Sequence, residues 1–218
     1  MSVKFIDIHT HKDYTHFDVI RLYSFRMVPE QAVQPVSGPF ACGVHPWDTD
    51  TPNLNELLIQ LNDYNNLHAI GECGFDKYRG GAFEIQEQAF RYQVNLSERK
   101  HKPLIIHCIG YYNELITLYK QLQPTQKWIV HGFNAHPNLA VQLINAGIYL
   151  SFGVAMANPL AKAAASIKVV PQNRLFLETD EANCSIQDVY KLAANHRNES
   201  VETIKHTIYK SYISLFES

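Results

Sequence analysis

Short apolar runs recur along the chain, and most are followed by stretches where apolar positions return every three or four residues. The runs are VKFIDI (3–8), VIRLYSF (19–25), FACGV (40–44), LHAIG (67–71), PLII (103–106), KWIV (127–130), IYLSF (148–152) and RLFLE (174–178). Near-continuous apolar character of this kind suits strands buried on both faces of a parallel sheet. Between the later runs the spacing predicts amphipathic helices. Leu54, Leu57, Leu58 and Leu61 share one helical face behind an Asn53–Glu56 capping pair, and Ile85, Ala89, Tyr92 and Leu96 share another. Leu115, Leu118, Tyr119 and Leu122 form a third stripe; Leu139, Leu143 and Ile144 form a fourth, which Gly147 would stop. Asn158–Pro159 reads as an N-cap followed by proline at the first helical position. Ser185 with Asp188 opens a further helix, and Ser200 opens the last, with Val201, Ile204, Ile208 and Leu215 inward.

Eight strands alternating with helices predict an α/β fold, most economically a TIM-type (β/α)8 barrel, with an open α/β sheet as the alternative. One domain over residues 1–218 is expected. The first β/α units are abbreviated. The first two runs leave no room for a crossover helix, and residues 26–39 (RMVPEQAVQPVSGP) hold three prolines and no helical stripe. A parallel crossover normally takes about a dozen residues and usually a helix.

Composition sharpens this picture a little. The 218 residues are 46 % hydrophobic and 18 % charged, enough for a sizeable core. A formal net charge of -2 argues against a protein that coats nucleic acid through a broad basic face, but allows an enzyme that grips a few phosphates through metal. The opening MSVKFIDIHTH reads as neither signal peptide nor membrane span, and no later segment is apolar for the roughly 18 residues a span needs. A cytoplasmic location and no membrane partner are expected. Cys42, Cys73, Cys108 and Cys184 are widely spaced with no CxxC pair, and read as reduced thiols.

The chemistry sits at the strand ends, where barrels of this class carry their active sites. His9 and His11 follow the first run, His45 the third, Glu72 the fourth, His107 the fifth, His131 the sixth and Asp180 the eighth. Residues i and i+2 of an extended strand point the same way, so His9 and His11 can both aim into the barrel mouth. Imidazoles and carboxylates are the usual ligands of first-row divalent ions. A single histidine at a strand end is commonly hydrogen-bonded structure, and His16, His68, His101, His136, His196 and His206 show histidine to be frequent here. The coincidence of His9, His11, Glu72, His107, His131 and Asp180 at one structural position on five strands predicts a metal site. Glu178 and Asp7 each lie two residues before a candidate ligand, one layer deeper. Asp76 either orients a histidine or stabilises its loop. Cys73 and Cys108 should face away, into packing. Gly71 and Gly74 let the backbone bend around Glu72. The RGG at 79–81 reads as a flexible loop with Arg79 available to an anion.

These residues resemble a known family. FIDIHTHKD, CGVHPW, AIGECGFD, PLIIHC, IVHGF and LETD occur in the order seen in the TatD-like metal-dependent hydrolases, the TatD deoxyribonucleases of the amidohydrolase superfamily. The match runs from residue 4 to about residue 181. It implies a TIM-type barrel with one or two divalent ions (Mg, Mn or Zn). His9, His11 and Asp180 would hold one ion, His107 and His131 the other, and Glu72 would bridge. His45 would position substrate. The implied activity is phosphodiester hydrolysis of DNA, single-stranded or at 3′ ends, by metal-activated water, with Asp180 accepting the water's proton and Glu72 as its catalytic partner. The chain departs from the family at His107-Cys108-Ile109, where His-x-Arg is usual, at HGFNA (131–135), where HCFSG is usual, and in the short TDEANCS. The missing arginine removes a phosphate contact. Three readings follow: a TatD-type deoxyribonuclease or phosphodiesterase; a metal hydrolase of a small amide, ester or lactone; and a non-catalytic binding protein stapled by metal. No protein partner is expected.

Overall fold

The computed structural model describes residues 2–28 and 38–217. Among these residues eight strands stand in chain order, every neighbouring pair parallel. They are β1 (Phe5–Thr10), β2 (Val19–Arg26), β3 (Phe40–Gly43), β4 (Ala69–Asp76), β5 (Leu104–Ile109), β6 (Trp128–Val130), β7 (Tyr149–Phe152) and β8 (Leu175–Leu177). Just past β8 the chain returns to β1. The Asp180 N–H donates to the His9 carbonyl at 2.9 Å, and the His11 N–H donates to the Asp180 carbonyl at 3.3 Å. This bridge closes the sheet into a barrel at its C-terminal rim. All eight apolar runs therefore become strands. β1 and β4 are buried along their whole length, because helices cover one face and the barrel interior takes the other.

Among the described residues seven α-helices accompany them: α1 (Leu54–Gln60), α2 (Phe83–Lys100), α3 (Tyr112–Leu122), α4 (Pro137–Ala146), α5 (Lys162–Ser166), α6 (Ile186–Arg197) and α7 (Val201–Phe216). Ser185 and Ser200 cap α6 and α7 as expected, their Oγ atoms accepting the N–H of Asp188 and Thr203. Gly147 ends α4 at φ 108°, where a side chain is disfavoured. An aromatic wedge locks α2 and α3 onto the barrel. Phe90 packs on Phe75 and edge-on to Trp128, and Trp128 meets Tyr119, all with centroids 4.9–5.1 Å apart.

Three local expectations give way. Asn158 does not open a helix. Its Oδ1 accepts the Leu160 N–H at 3.0 Å, so the side chain is spent on an Asx turn and α5 begins only at Lys162. Asn53 occupies the N-cap of α1 with φ -93° and ψ 12°, not the extended form a capping side chain needs, and it makes no capping bond. Ile85 is 39 % exposed, because the buried face of α2 runs instead through Gln86, Ala89, Phe90, Gln93 and Val94.

The abbreviated first quarter is present. No helix joins β1 to β2, and residues 29–37 of the proline-bearing stretch lie outside the described residues. The C-terminal helices cover β1: the Tyr190 hydroxyl meets the backbone of Ile6 at 3.2 Å, and Lys205 pairs with Asp18 while its ammonium sits 4.1 Å from the Phe5 ring centroid. Among the described residues no helix is long and apolar enough to cross a membrane.

Candidate metal centre

The ends of β1, β4, β5, β6 and β8 converge on Glu72. Close strand packing puts it there. A Cβ on Gly71 (φ 141°) would lie 2.3 Å from the Ile105 carbonyl oxygen, and one on Gly74 (φ 133°) 2.1 Å from that of His107. Only glycine on either side lets β4 press against β5 with Glu72 turned inward.

The carboxylate of Glu72 divides its two oxygens between two groups of side chains. Oε2 faces His9 Nε2 and His11 Nε2, each at 3.5 Å, and Asp180 Oδ1 lies 3.5 and 3.6 Å from the same two nitrogens. Oε1 faces His131 Nε2 at 2.7 Å, His45 Nε2 at 3.1 Å and His107 Nδ1 at 3.2 Å. His9 and His11 do share a direction, as parity requires, with ring centroids 5.0 Å apart. Asp180 adopts φ 50°, a left-handed conformation that Asp tolerates better than most residues, and both its backbone groups are pinned to β1.

Second partners decide which ring nitrogens are bare. His11 Nδ1 lies 3.1 Å from the Ser24 carbonyl, which can only accept, so Nδ1 donates there and Nε2 is the nitrogen turned to the centre, able to offer a lone pair once deprotonated. His107 Nε2 lies 3.1 Å from Asp76 Oδ2. Asp76 also accepts from Trp47 Nε1 at 2.7 Å and from the Tyr78 N–H at 2.8 Å. Burial works to raise the Asp76 pKa, but these hydrogen bonds outweigh it and hold the carboxyl below its ordinary range. It therefore accepts from His107 and leaves Nδ1 bare. Asp76 thus contacts both His107 and its own loop, joining two roles that the sequence poses as alternatives. His45 is the opposite case. Its Nδ1 accepts the Trp47 N–H at 3.1 Å, so Nε2 carries the hydrogen and donates to Glu72. Burial pushes its pKa down, keeping it neutral. In that tautomer His45 is a donor aimed at the centre and has no lone pair there.

The remaining electrostatics fit a cation. His9 is buried with both ring nitrogens lacking a hydrogen-bond partner, a costly arrangement for a polar group. Its Nε2 and that of His11 each lie 3.5–3.6 Å from both Glu72 Oε2 and Asp180 Oδ1, and His9, His11 and Asp180 together offer ligand atoms close enough to share one ion. Burial favours a neutral Glu72, yet His131 and His9 hold its pKa well below the ordinary carboxylate range. Burial likewise opposes charge on His131, while Glu72 and Glu178 drive its pKa well above the usual value. Protons on histidine thus balance acids here, the balance a bound cation would supply with release of those protons.

Glu178 lies one layer deeper, as expected. Its Oε1 accepts the Gly132 N–H at 2.7 Å and stands 3.4 Å from His131 Nδ1 without a hydrogen bond. Asp7, also deeper, meets Tyr14 and Thr179 and touches no candidate ligand atom. Cys73 and Cys108 are buried in packing, and burial pushes both thiols up, away from thiolate chemistry. Beside Asp180 a cavity of about 420 Å³ opens, lined by Asn134, Gly153, Ala155 and Glu181 among others.

Arg79 lies on the opposite rim, and its loop is not loose. Gln86 Nε2 reaches the carbonyls of Asp76, Arg79 and Gly81 at 2.9, 3.2 and 2.7 Å. The expectation of a flexible RGG loop fails because that buried glutamine ties down its backbone. Gln93 does the same for Val44, accepting from its N–H at 2.9 Å and donating to its carbonyl at 3.1 Å. Sequence reading missed both glutamines and Trp47. A signal existed: Gln86 and Gln93 lie seven apart, on the helix face that carries Ala89 and Phe90.

Comparison with known proteins agrees with this geometry. Residues 18–217 match the family model of the TatD related DNases. A protein of Buchnera aphidicola subsp. Baizongia pistaciae, described as an uncharacterized metal-dependent hydrolase, is 30% identical over 195 residues, 81% of this chain and 73% of its own length. The Escherichia coli K12 metal-dependent hydrolase YcfH is 27% identical over 144 residues, 65% of this chain and 54% of its own length. The chain thus spans little more than half of that relative. In fold, the crystal structure of the Escherichia coli K12 TatD homolog YJJV superposes with a TM-score of 0.83 at 22% identity, covering 99% of both chains. A TatD family hydrolase from Entamoeba histolytica gives 0.77 at 18%, again covering 99% of both.

Proposed function

We propose, from the premise that the chain belongs to the TatD related DNase family and is a metal-dependent hydrolase, that it cleaves phosphodiester bonds of DNA, single-stranded or at 3′ ends. The observation that carries this reading is the division of Glu72, one oxygen turned to His9, His11 and Asp180 and the other to His107 and His131. In this reading His9, His11 and Asp180 would hold one divalent ion, His107 and His131 a second, and Glu72 would serve both. The imidazole-rich donors suit zinc or manganese better than magnesium, a hard ion that prefers oxygen. Such ions, when bound, bring the pKa of water from about 15.7 toward about 7 and neutralise charge on a phosphoryl oxygen.

The chain's own groups do the rest. Asp180, whose side chain is 44 % exposed, faces incoming substrate. Burial works to raise its pKa, but His9 beside it prevails and lowers it, so the carboxylate is ready to take the proton of the attacking water. His45, whose Nε2–H is held by Glu72, lines the centre where it would position the substrate. Arg79 receives an anionic part of the substrate. The buried rings of His9 and His131, with centroids 4.1 Å apart, exclude bulk water from below. Cytoplasmic location belongs to this reading, in keeping with Cys42, Cys73, Cys108 and Cys184 as free thiols.

The test is hydrolysis of 5′-labelled single-stranded DNA with magnesium or manganese, at measured metal content. The wild type should give products that chelator abolishes, and Glu72→Ala should lower the rate by about 10²-fold or more. A wild type that binds metal and leaves DNA intact overturns the DNA substrate. One observation favours a second reading, a hydrolase of a small ester, amide or lactone. Ile109, 40 % exposed, puts an apolar side chain where the family's phosphate-contacting arginine is usual.

A further inference from the structure

The rim formed by the β3–α1 and β4–α2 connections carries a built column of side chains. The Arg79 guanidinium carbon lies 3.5 Å from the Trp47 ring centroid. Trp47 Nε1 donates to Asp76 Oδ2 at 2.7 Å, and the same oxygen holds His107 Nε2 at 3.1 Å. Guanidinium, indole, carboxylate and candidate ligand are thus in contact in sequence. The backbone beneath Arg79 is fixed from both sides. Gln86 holds its carbonyl, the Gly81 N–H donates to Thr49 Oγ1 at 3.1 Å, and a Cβ on Gly80 would lie 2.0 Å from the Pro46 carbonyl oxygen.

Among the described residues, the charge at the top of this column has no ionic partner. The Arg79 side chain is exposed and makes no hydrogen bond or ion pair with any described residue. The acids nearby are already committed: Asp76 to Trp47 and His107, and Asp48 to a two-pronged pair with Arg26 at 2.5 and 2.7 Å. Arg26 adds a second guanidinium 5.3 Å from the same indole centroid. Tyr78, 79 % exposed, adjoins Arg79 in the chain. Ile109 pairs in register with Asp76, and its carbonyl accepts the Lys77 N–H at 2.9 Å, so the loop bearing Arg79 emerges directly beside it.

Building on the phosphodiesterase reading, we propose that Arg79, stacked on Trp47, binds a non-scissile phosphate of the substrate and so replaces from the β4–α2 connection the contact that Ile109 cannot make. Arginine suits the task because its planar fork bonds phosphate with two donors while its face rests on an aromatic ring. Exposed aromatic and cationic groups on one rim are also the usual means of holding a single strand.

The first readout needs no catalysis. Anisotropy of a fluorescent oligothymidylate is titrated with chelator-stripped protein from about 50 to about 200 mM salt. Arg79→Ala should bind about tenfold more weakly at low salt, with a log–log salt slope shallower by about 0.7, the value of one phosphate contact on a single strand. Arg79→Lys should keep the slope and recover part of the affinity. Identical affinity and slope in wild type and Arg79→Ala, or no binding by the wild type, overturns the inference. The second readout uses two dinucleotide substrates that differ by one terminal phosphate. Arg79→Ala should shift the ratio of their KM values about tenfold against the longer one, and a constant ratio overturns the inference. If the wild type hydrolyses neither substrate, the proposed activity falls while the anisotropy still decides the role of Arg79.

Discussion

Asp76 shows how one side chain serves two neighbours at the barrel mouth. It accepts from His107 and from Trp47 with the same oxygen, so it fixes both a candidate ligand's tautomer and the indole that carries Arg79. Partners of this kind are worth 10–100-fold in metal affinity. Asp76→Ala should therefore weaken one of two metal-binding steps by about that factor in a manganese titration, leaving the other step in place; two unchanged steps would show that Asp76 only supports its loop. The residue types of the centre were legible, since histidines and acids at strand ends need only be counted. Their roles were not. His45 and His107 both follow apolar runs, yet His45 spends its Nδ1 lone pair on the Trp47 N–H while His107 keeps its own. That difference depends on partners two and thirty-one positions away.

At the scale of elements, α2 acts as a clamp. Gln93 satisfies both backbone groups of Val44 at the end of β3, and Gln86 satisfies those of Asp76 at the end of β4. His45 and the Arg79 loop begin where those strands end. Removing a buried partner leaves backbone groups unpaired, at about 1–3 kcal/mol each. Gln93→Ala should accordingly destabilise the protein in urea by about 2 kcal/mol or more, whereas the exposed Gln88→Ala on the same helix should change it by less than about 0.5 kcal/mol. Equal small effects would mean that the clamp contributes nothing. The strands were readable because burial on both faces leaves an unbroken apolar signature. Helix starts were readable where a serine caps an ordinary first turn, as at Ser185 and Ser200, and misread at Asn158, whose side chain closes a turn before the helix.

Over the whole molecule, the acid beneath the centre links stability to pH. Burial pushes the Asp7 pKa up to about 7 against the opposing hydrogen bonds of Thr179 and Tyr14. In the unfolded chain it is near about 3.9. Between these values the folded protein binds one proton more than the unfolded chain, so stability falls as pH rises from about 4 to about 7 and levels off above. The loss amounts to a few kcal/mol, since each tenfold difference in proton affinity between the folded and unfolded chain is worth about 1.4 kcal/mol. Asp7→Asn cannot titrate. In denaturant titrations of chelator-treated protein, its stability relative to wild type should rise from pH 5 to about pH 7 and level off by pH 8; parallel profiles would place the Asp7 pKa at its ordinary value.

The sequence by itself determined the barrel, its shortened first quarter and the set of side chains at its mouth. These depend on local rules: strand parity, helical period and the residue that follows each apolar run. Only the tertiary structure decided which oxygen of Glu72 meets which histidine, which imidazoles keep a lone pair, and that Arg79 rests on Trp47 above a tethered loop. Those features arise where a closed sheet brings together residues as distant as His9 and Asp180. Their spacing is set by the stagger of the strands, which no single stretch of sequence encodes.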